Sequence, residues 1–126
     1  MTDRYETGMA TRRAVLGDAY VDGKQAERTN FDAPFQQFVT EGAWGSVWSR
    51  DGISRRDRSL VTVALLAALG QWEELALHVR ATAQTGATPE ELREVLLHVA
   101  VYAGAPAANH AIKVVKATLA EMEAAR

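Results

Sequence analysis

The sequence predicts an all-α fold of about six helices, and three observations carry that reading. Period-two alternation is missing, Ala, Leu, Glu and Arg dominate the periodic segments, and helix start and stop signals recur between them. At 126 residues the chain is expected to form a single domain, residues 1–126.

The first helix is expected over about residues 5 to 18, with Met9, Val15 and Leu16 facing inward. The polar stretch from Asp22 to Asn30 reads as a break after it. A second helix is expected over about Pro34 to Ala43, burying Phe35, Phe38 and Val39, with Pro34 in its first turn. Gly42, Gly45 and Gly52 then punctuate what reads as an irregular loop carrying Trp44, Trp48, Ser49, Arg50 and Asp51. That is much aromatic area for a connector, and such loops usually line a site.

Ser54 followed by Asp57 resembles a capping box, so a helix is expected from Ser54 to about Leu69. Between Leu60 and Leu69 only Thr62 is polar. A helix apolar around most of its circumference must be covered on several sides, which implies packing against a second copy in a homo-oligomer. Gly70 ends that helix, Gln71 to Thr85 forms the next, and Gly86 stands where a C′ residue would. Thr88-Pro89-Glu90-Glu91 combines an N-cap, Pro at N1 and Glu at N3, starting a helix that reaches about Ala103 through Leu92, Val95, Leu96 and Val99. Gly104 and Pro106 separate it from a last helix carrying Ile112, Val115, Leu119 and Met122.

Composition narrows the chemistry. Fourteen basic against sixteen acidic side chains leave a formal charge of -2, so no general field attracts nucleic acid or an anionic membrane. There are no cysteines, which excludes disulfides, thiolate metal sites and cysteine nucleophiles. The N-terminus is polar without an apolar segment behind it, so a cytoplasmic protein is expected. The longest apolar run, Val63 to Leu69, falls far short of the roughly 20 residues that span a bilayer.

The best chemical lead is Glu74-Leu-Ala-Leu-His78. Residues four apart share a helix face, so the Glu74 carboxylate can hold and bias the His78 imidazole as a general acid or base. If Gly70 turns the chain into an antiparallel pair, Arg58 lies roughly 18 Å before the turn and His78 roughly 12 Å after it. Arg58, beside the apolar run, is the arginine best placed to meet a substrate carboxylate; Trp48 and Arg50 from the loop would roof the same pocket. The plainer alternative is that Glu74 and His78 form an exposed pair worth about 0.2–0.5 kcal/mol. Arg55 and Arg56 read as solvated charges at the helix start. His98, between Glu94 and Tyr102 at helical spacing, reads as a surface or interface residue, and His110 lacks a nearby acid. Three scattered histidines without HExxH spacing make no metal site, and no glycine loop cradles a phosphate, so neither metal nor cofactor is expected.

Taken in order, Gly45-Ser-Val-Trp48-Ser-Arg50, Arg58-Ser-Leu, Ala67-Ala-Leu-Gly70, His78, Gly86-Ala-Thr-Pro-Glu-Glu91 and Tyr102-Ala-Gly-Ala-Pro106 resemble the carboxymuconolactone decarboxylase family. The resemblance implies an all-helical, alkylhydroperoxidase-like fold and an oligomer, commonly a trimer or hexamer. The peroxidase branch of that family carries Cys-x-x-Cys-x-x-x-His, and Gln71 and Glu74 stand in the places of those cysteines before His78. The decarboxylase branch is therefore the one resembled. It implies a small anionic lactone as substrate, 4-carboxymuconolactone of protocatechuate catabolism, converted to the β-ketoadipate enol-lactone with release of CO2 and no cofactor. Within that implication Arg58 and Arg50 anchor carboxylate, Trp48 walls the pocket, His78 delivers a proton and Glu74 orients His78. Two other functions remain open: a helical oligomer that binds a small molecule without turning it over, and a decarboxylase or isomerase of another lactone.

Overall fold

The computed structural model describes residues 3–126, and among these every regular element is helical. The chain divides into two compact units, Met1–Arg55 and Arg56–Arg126.

The N-terminal unit holds α1 (Arg4–Leu16), α2 (Asp18–Glu27), α3 (Ala33–Val39) and a π-helix (Thr40–Trp48). Asp3 caps α1 by accepting the Glu6 amide at 2.7 Å. Gly17, at φ 90, ends α1 two residues earlier than expected and lets α2 begin at Asp18. The polar stretch read as a break is therefore largely helix. Its composition hid it, because Val21 is the only residue that α2 buries.

The tryptophan-bearing segment is likewise no irregular loop. From Thr40 the backbone continues out of α3 as a π-helix, and two serines reinforce its wider turn. Ser46 Oγ donates to the Glu41 carbonyl at 2.9 Å and Ser49 Oγ to the Trp44 carbonyl at 2.6 Å, each five residues back. With its proton so committed, Ser49 accepts from Thr11 Oγ1 at 2.7 Å and ties α1 to the π-helix. Two glycines permit that approach. A Cβ on Gly8 would stand 2.0 Å from the Thr40 carbonyl oxygen, and one on Gly45 would stand 2.5 Å from the Arg4 carbonyl oxygen. Trp44 and Trp48 are buried beside each other, ring centroids 5.1 Å apart.

The expected burial of Phe35 and Phe38 is not what the structure shows; both are more than half exposed. The face of α3 that is covered follows Ala33, Gln36 and Val39 to Thr40, and the phenylalanines lie on the adjacent face. Met9, Val15 and Leu16 do turn inward, Met9 only partly.

The C-terminal unit comprises α4 (Arg55–Leu69), α5 (Trp72–Arg80), the single turn α6 (Thr82–Thr85), α7 (Pro89–Tyr102) and α8 (Ala105–Ala124). α4 ends in a Schellman motif. Gly70 takes φ 71, its amide bonds to the Ala67 carbonyl at 3.3 Å, and the Gln71 amide bonds to the Leu66 carbonyl at 3.0 Å. The helix expected over residues 71–85 is interrupted at Ala81, and Gly86 closes it at φ 87. Thr88 and Glu91 form the capping box read from the sequence. Val63, Ala67, Leu75, Val79, Leu92, Leu96, Val99, Ala108, Ala111 and Val115 make one core, with α8 packed on both α5 and α7.

The Glu91 carboxylate does double service, since Arg56 also donates to it from Nε, at 3.1 Å, and from Nη2. Arg56 is exposed at the helix start, as expected, but it is also paired. It ties α4 to the start of α7, and its hydrogen bonds, with those of the cap, hold the Glu91 carboxyl down to about 2.

The glycine contacts make a direct prediction for the N-terminal unit. Gly8→Ala should cost about 2 kcal/mol or more in urea unfolding, because the added carbon meets backbone that cannot swing aside. Gly42→Ala, with nothing within 4 Å of the new carbon, should be neutral or stabilising by up to about 1 kcal/mol.

Candidate active site

Three of the candidate residues lie on α4 and α5 of the C-terminal unit. α5 has a strongly sided pattern, burying Leu75, Leu77, His78 and Val79 while Glu73, Glu74 and Arg80 face solvent. His78 sits in the last turn and is 8% exposed. Burial in that surrounding disfavours the imidazolium and pushes the group down to about 4. At neutral pH the ring is consequently neutral, with an imidazolium fraction of ~10⁻³. Such an imidazole takes up a proton readily only when an anion is brought beside it.

Glu74 stands exposed at the first turn of the same helix and takes part in no hydrogen bond or ion pair among the described residues. The depression of His78 has burial as its cause. Residues 74 and 78 share a face, as the spacing requires, without a closed pair.

Arg58 is half-buried in the first turn of α4, and its carbonyl accepts the Thr62 hydroxyl at 2.7 Å. The neighbouring Ser59 is fully buried, and its hydroxyl has no hydrogen-bond partner. Sequence reasoning passed over Ser59, although a helical count of four from Val63 and eight from Ala67 places it on the buried stripe. A hydroxyl held dry there retains full hydrogen-bonding capacity.

Trp48 and Arg50 belong to the other unit. Trp48 is buried next to Trp44, and Arg50, exposed just beyond the π-helix, bonds through its amide to the Val47 carbonyl at 3.1 Å. Of the residues singled out in the sequence, Arg58, Glu74 and His78 share a unit, and Trp48 and Arg50 share the other.

The remaining histidines find aromatic neighbours. His98, exposed on α7, leans on Tyr102 with ring centroids 5.1 Å apart. His110 on α8 stacks flat on Trp72 at 4.1 Å and 3°. That pairing joins positions 38 residues apart and left no local signal. Among the described residues no three His, Asp or Glu side chains gather where they would hold a metal ion.

Comparison with known proteins adds an independent line. Residues 33–117 match the model of the carboxymuconolactone decarboxylase family. The chain is 46% identical over 109 residues to a 4-carboxymuconolactone decarboxylase of Acinetobacter baylyi, covering 86% of this chain and 81% of that protein. It is 41% identical over 118 residues to the nitrosuccinic acid decarboxylase npaB of Metarhizium robertsii, covering 94% of this chain and 82% of that protein. A 4-carboxymuconolactone decarboxylase of Pseudomonas putida is 48% identical over 42 residues, which are 33% of this chain and 88% of that one.

The state of His78 is open to measurement through stability. The unfolded chain binds a proton near 6.5 that the folded chain refuses until about 4, so stability should be complete above 6.5 and fall as the pH drops through that window. The loss is on the order of 3 kcal/mol. Urea unfolding at successive pH values should show this slope in the natural protein and not in His78→Gln; Glu91 adds its own loss only further down, between about 4.5 and 2.

Proposed function

The chain belongs to the carboxymuconolactone decarboxylase family, and from that premise we propose that it is a carboxy-lyase converting 4-carboxymuconolactone to the β-ketoadipate enol-lactone and CO2. Likeness over most of its length to a decarboxylase of that name carries the choice of substrate. The buried, neutral His78 supplies the chemistry.

The substrate is its own electron sink. When the carbon–carbon bond to the leaving carboxylate breaks, CO2 departs and the electron pair moves into the conjugated lactone carbonyl. A dienolate results, and one proton delivered to ring carbon completes the enol-lactone. The protein must therefore hold the second carboxylate, stabilise the oxygen as charge arrives and donate the proton. Arg58 takes the first task with its planar fork. His78 takes the last.

A histidine held down to about 4 acquires its proton together with the substrate. The anion brought beside it lifts its pKa, so that binding takes up a proton that the reaction then spends on ring carbon. Glu74 enters at the same moment, when a charged imidazole one turn away gives the carboxylate something to hold. The dry surroundings of the ring favour loss of a charged carboxylate as neutral CO2.

A second reading draws on the relative named a nitrosuccinic acid decarboxylase. It would use the same residues on another small polycarboxylate in which a nitro group accepts the electron pair. Assay of both compounds with one preparation separates the readings, since the proposal requires the higher kcat/KM on the lactone.

We further infer a homo-oligomer, cytoplasmic and active in aromatic catabolism. Val63 and Ala67 face the core of the unit, whereas Val61, Leu65 and Leu69, at helical spacing on α4, are each more than half exposed. A second copy covering this stripe removes it from water. Light scattering should give a multiple of the chain mass at micromolar concentration and a lower mass for Leu65→Glu; a wild-type monomer would remove the inference.

Kinetics test the residue roles. His78→Gln should assemble normally and lose about 10²–10⁴ in kcat, the usual contribution of a positioned proton donor. Glu74→Gln should lose less, Arg58→Lys should lower kcat/KM with the fold intact, and His98→Gln should change little. Unchanged kcat in His78→Gln would defeat the mechanism.

A further inference from the structure

Arg12 lies in the third turn of α1 and is 7% exposed. Its Nη1 is shielded from solvent and has no hydrogen-bond partner. Guanidinium groups stay charged at any physiological pH, and a buried charge is normally held by an acid or a set of carbonyls. Asp18 and Asp22 of α2 both close on Arg13, at 3.1 and 2.8 Å, and no ion pair among the described residues includes Arg12.

What surrounds Arg12 instead is phenolic and basic. Tyr20 and Tyr5 are the groups whose fields favour its charge, against the desolvation that disfavours it. The Tyr5 hydroxyl in turn receives Arg28 Nη1 at 3.4 Å. A planar, charged fork, held nearly dry near two tyrosines, one of which receives a second arginine, has the composition of an anion site. Its residues come from α1, α2 and the end of α2, all within the N-terminal unit.

We propose that Arg12 is the anchor of a carboxylate-binding site in the N-terminal unit, near Tyr5 and the Arg28 that donates to it, that takes a small free dicarboxylate. A planar carboxylate matches the fork with two parallel N–H···O bonds. The site stands apart from the roles assigned to Arg58 and His78 and survives if those roles fail. Its signature separates it from a structural arginine. A charge buried without an acid disfavours folding until its ligand arrives, so removing that charge should leave the empty protein no less stable while abolishing the response to ligand.

The test uses the full chain and succinate as the probe, by calorimetric titration and thermal melting at constant ionic strength. The wild type should bind succinate and melt at higher temperature in its presence. Arg12→Met, which keeps the apolar stem, should melt without succinate at or above the wild-type temperature and bind succinate at least tenfold more weakly. Arg12→Lys should fall between them, and Arg58→Gln should retain the Arg12-dependent response. Several outcomes would overturn the proposal: no binding by the wild type, undiminished binding by Arg12→Met, or a lower melting temperature or failure to fold in that variant. Tighter binding of inorganic phosphate than of succinate would reject the carboxylate class. A change of oligomeric mass in Arg12→Met would assign the fork to an acid of a second copy. Loss of binding in Arg58→Gln alone would move the response to the decarboxylase site and leave that reading intact.

Discussion

An imidazole carried into an apolar helix cluster is the constraint on which the proposed chemistry of this chain depends. α5 cannot bury Leu75 and Val79 without also turning His78 inward, because residues three and four apart share a face. Once there, the ring is neutral, and the folded chain resists protonating it until about 4. Burial thus gives up stability in mild acid and gains a group whose proton affinity responds to the charge of whatever enters beside it. A decarboxylation that needs one proton late, after CO2 has left, is served by such a group. In the proposed mechanism the substrate brings the negative charge that loads it.

Around that ring the helices are held by devices with little direct share in the chemistry. The Schellman turn at Gly70 sets where α5 departs, and the Thr88–Glu91 box with Arg56 fixes the start of α7 against α4. In the N-terminal unit the corresponding device is steric. α1 lies so close to the π-helix that Gly8 and Gly45 admit no side chain, and the Thr11–Ser49 hydrogen bond crosses between them.

Much of this was legible in the sequence. Gly70, Gly86 and the Thr88 box are local signals, each completed within six residues, and all three hold in the structure. The all-helical class and the family resemblance were legible for the same reason, since both rest on short motifs in order. Errors arose where a local signal had a distant cause. Gly45 reads as a loop residue because glycine usually means a turn, whereas here it answers to the Arg4 carbonyl. Phe35 and Phe38 read as core because they are large and apolar, yet the covered face of α3 runs through Gln36 and Thr40. α2 was missed because one valine is all it buries. At the site, spacing correctly placed Glu74 and His78 on one helix face but could not show that one end of that face is wet and the other dry. The burial of Ser59 was available from its period and went unread, while the stack of His110 on Trp72 required the fold.

The central claim is that His78 is neutral in the empty protein and gains its proton with an anion. Ring-nitrogen NMR of labelled histidine, titrated between pH 3 and 8 in the free protein and with a non-reacting lactone carboxylate bound, reads this directly. The account predicts a midpoint near 4 for the free ring and a clear upward shift in the complex. A free midpoint near the ordinary 6.5, or one unmoved by the bound anion, would contradict it.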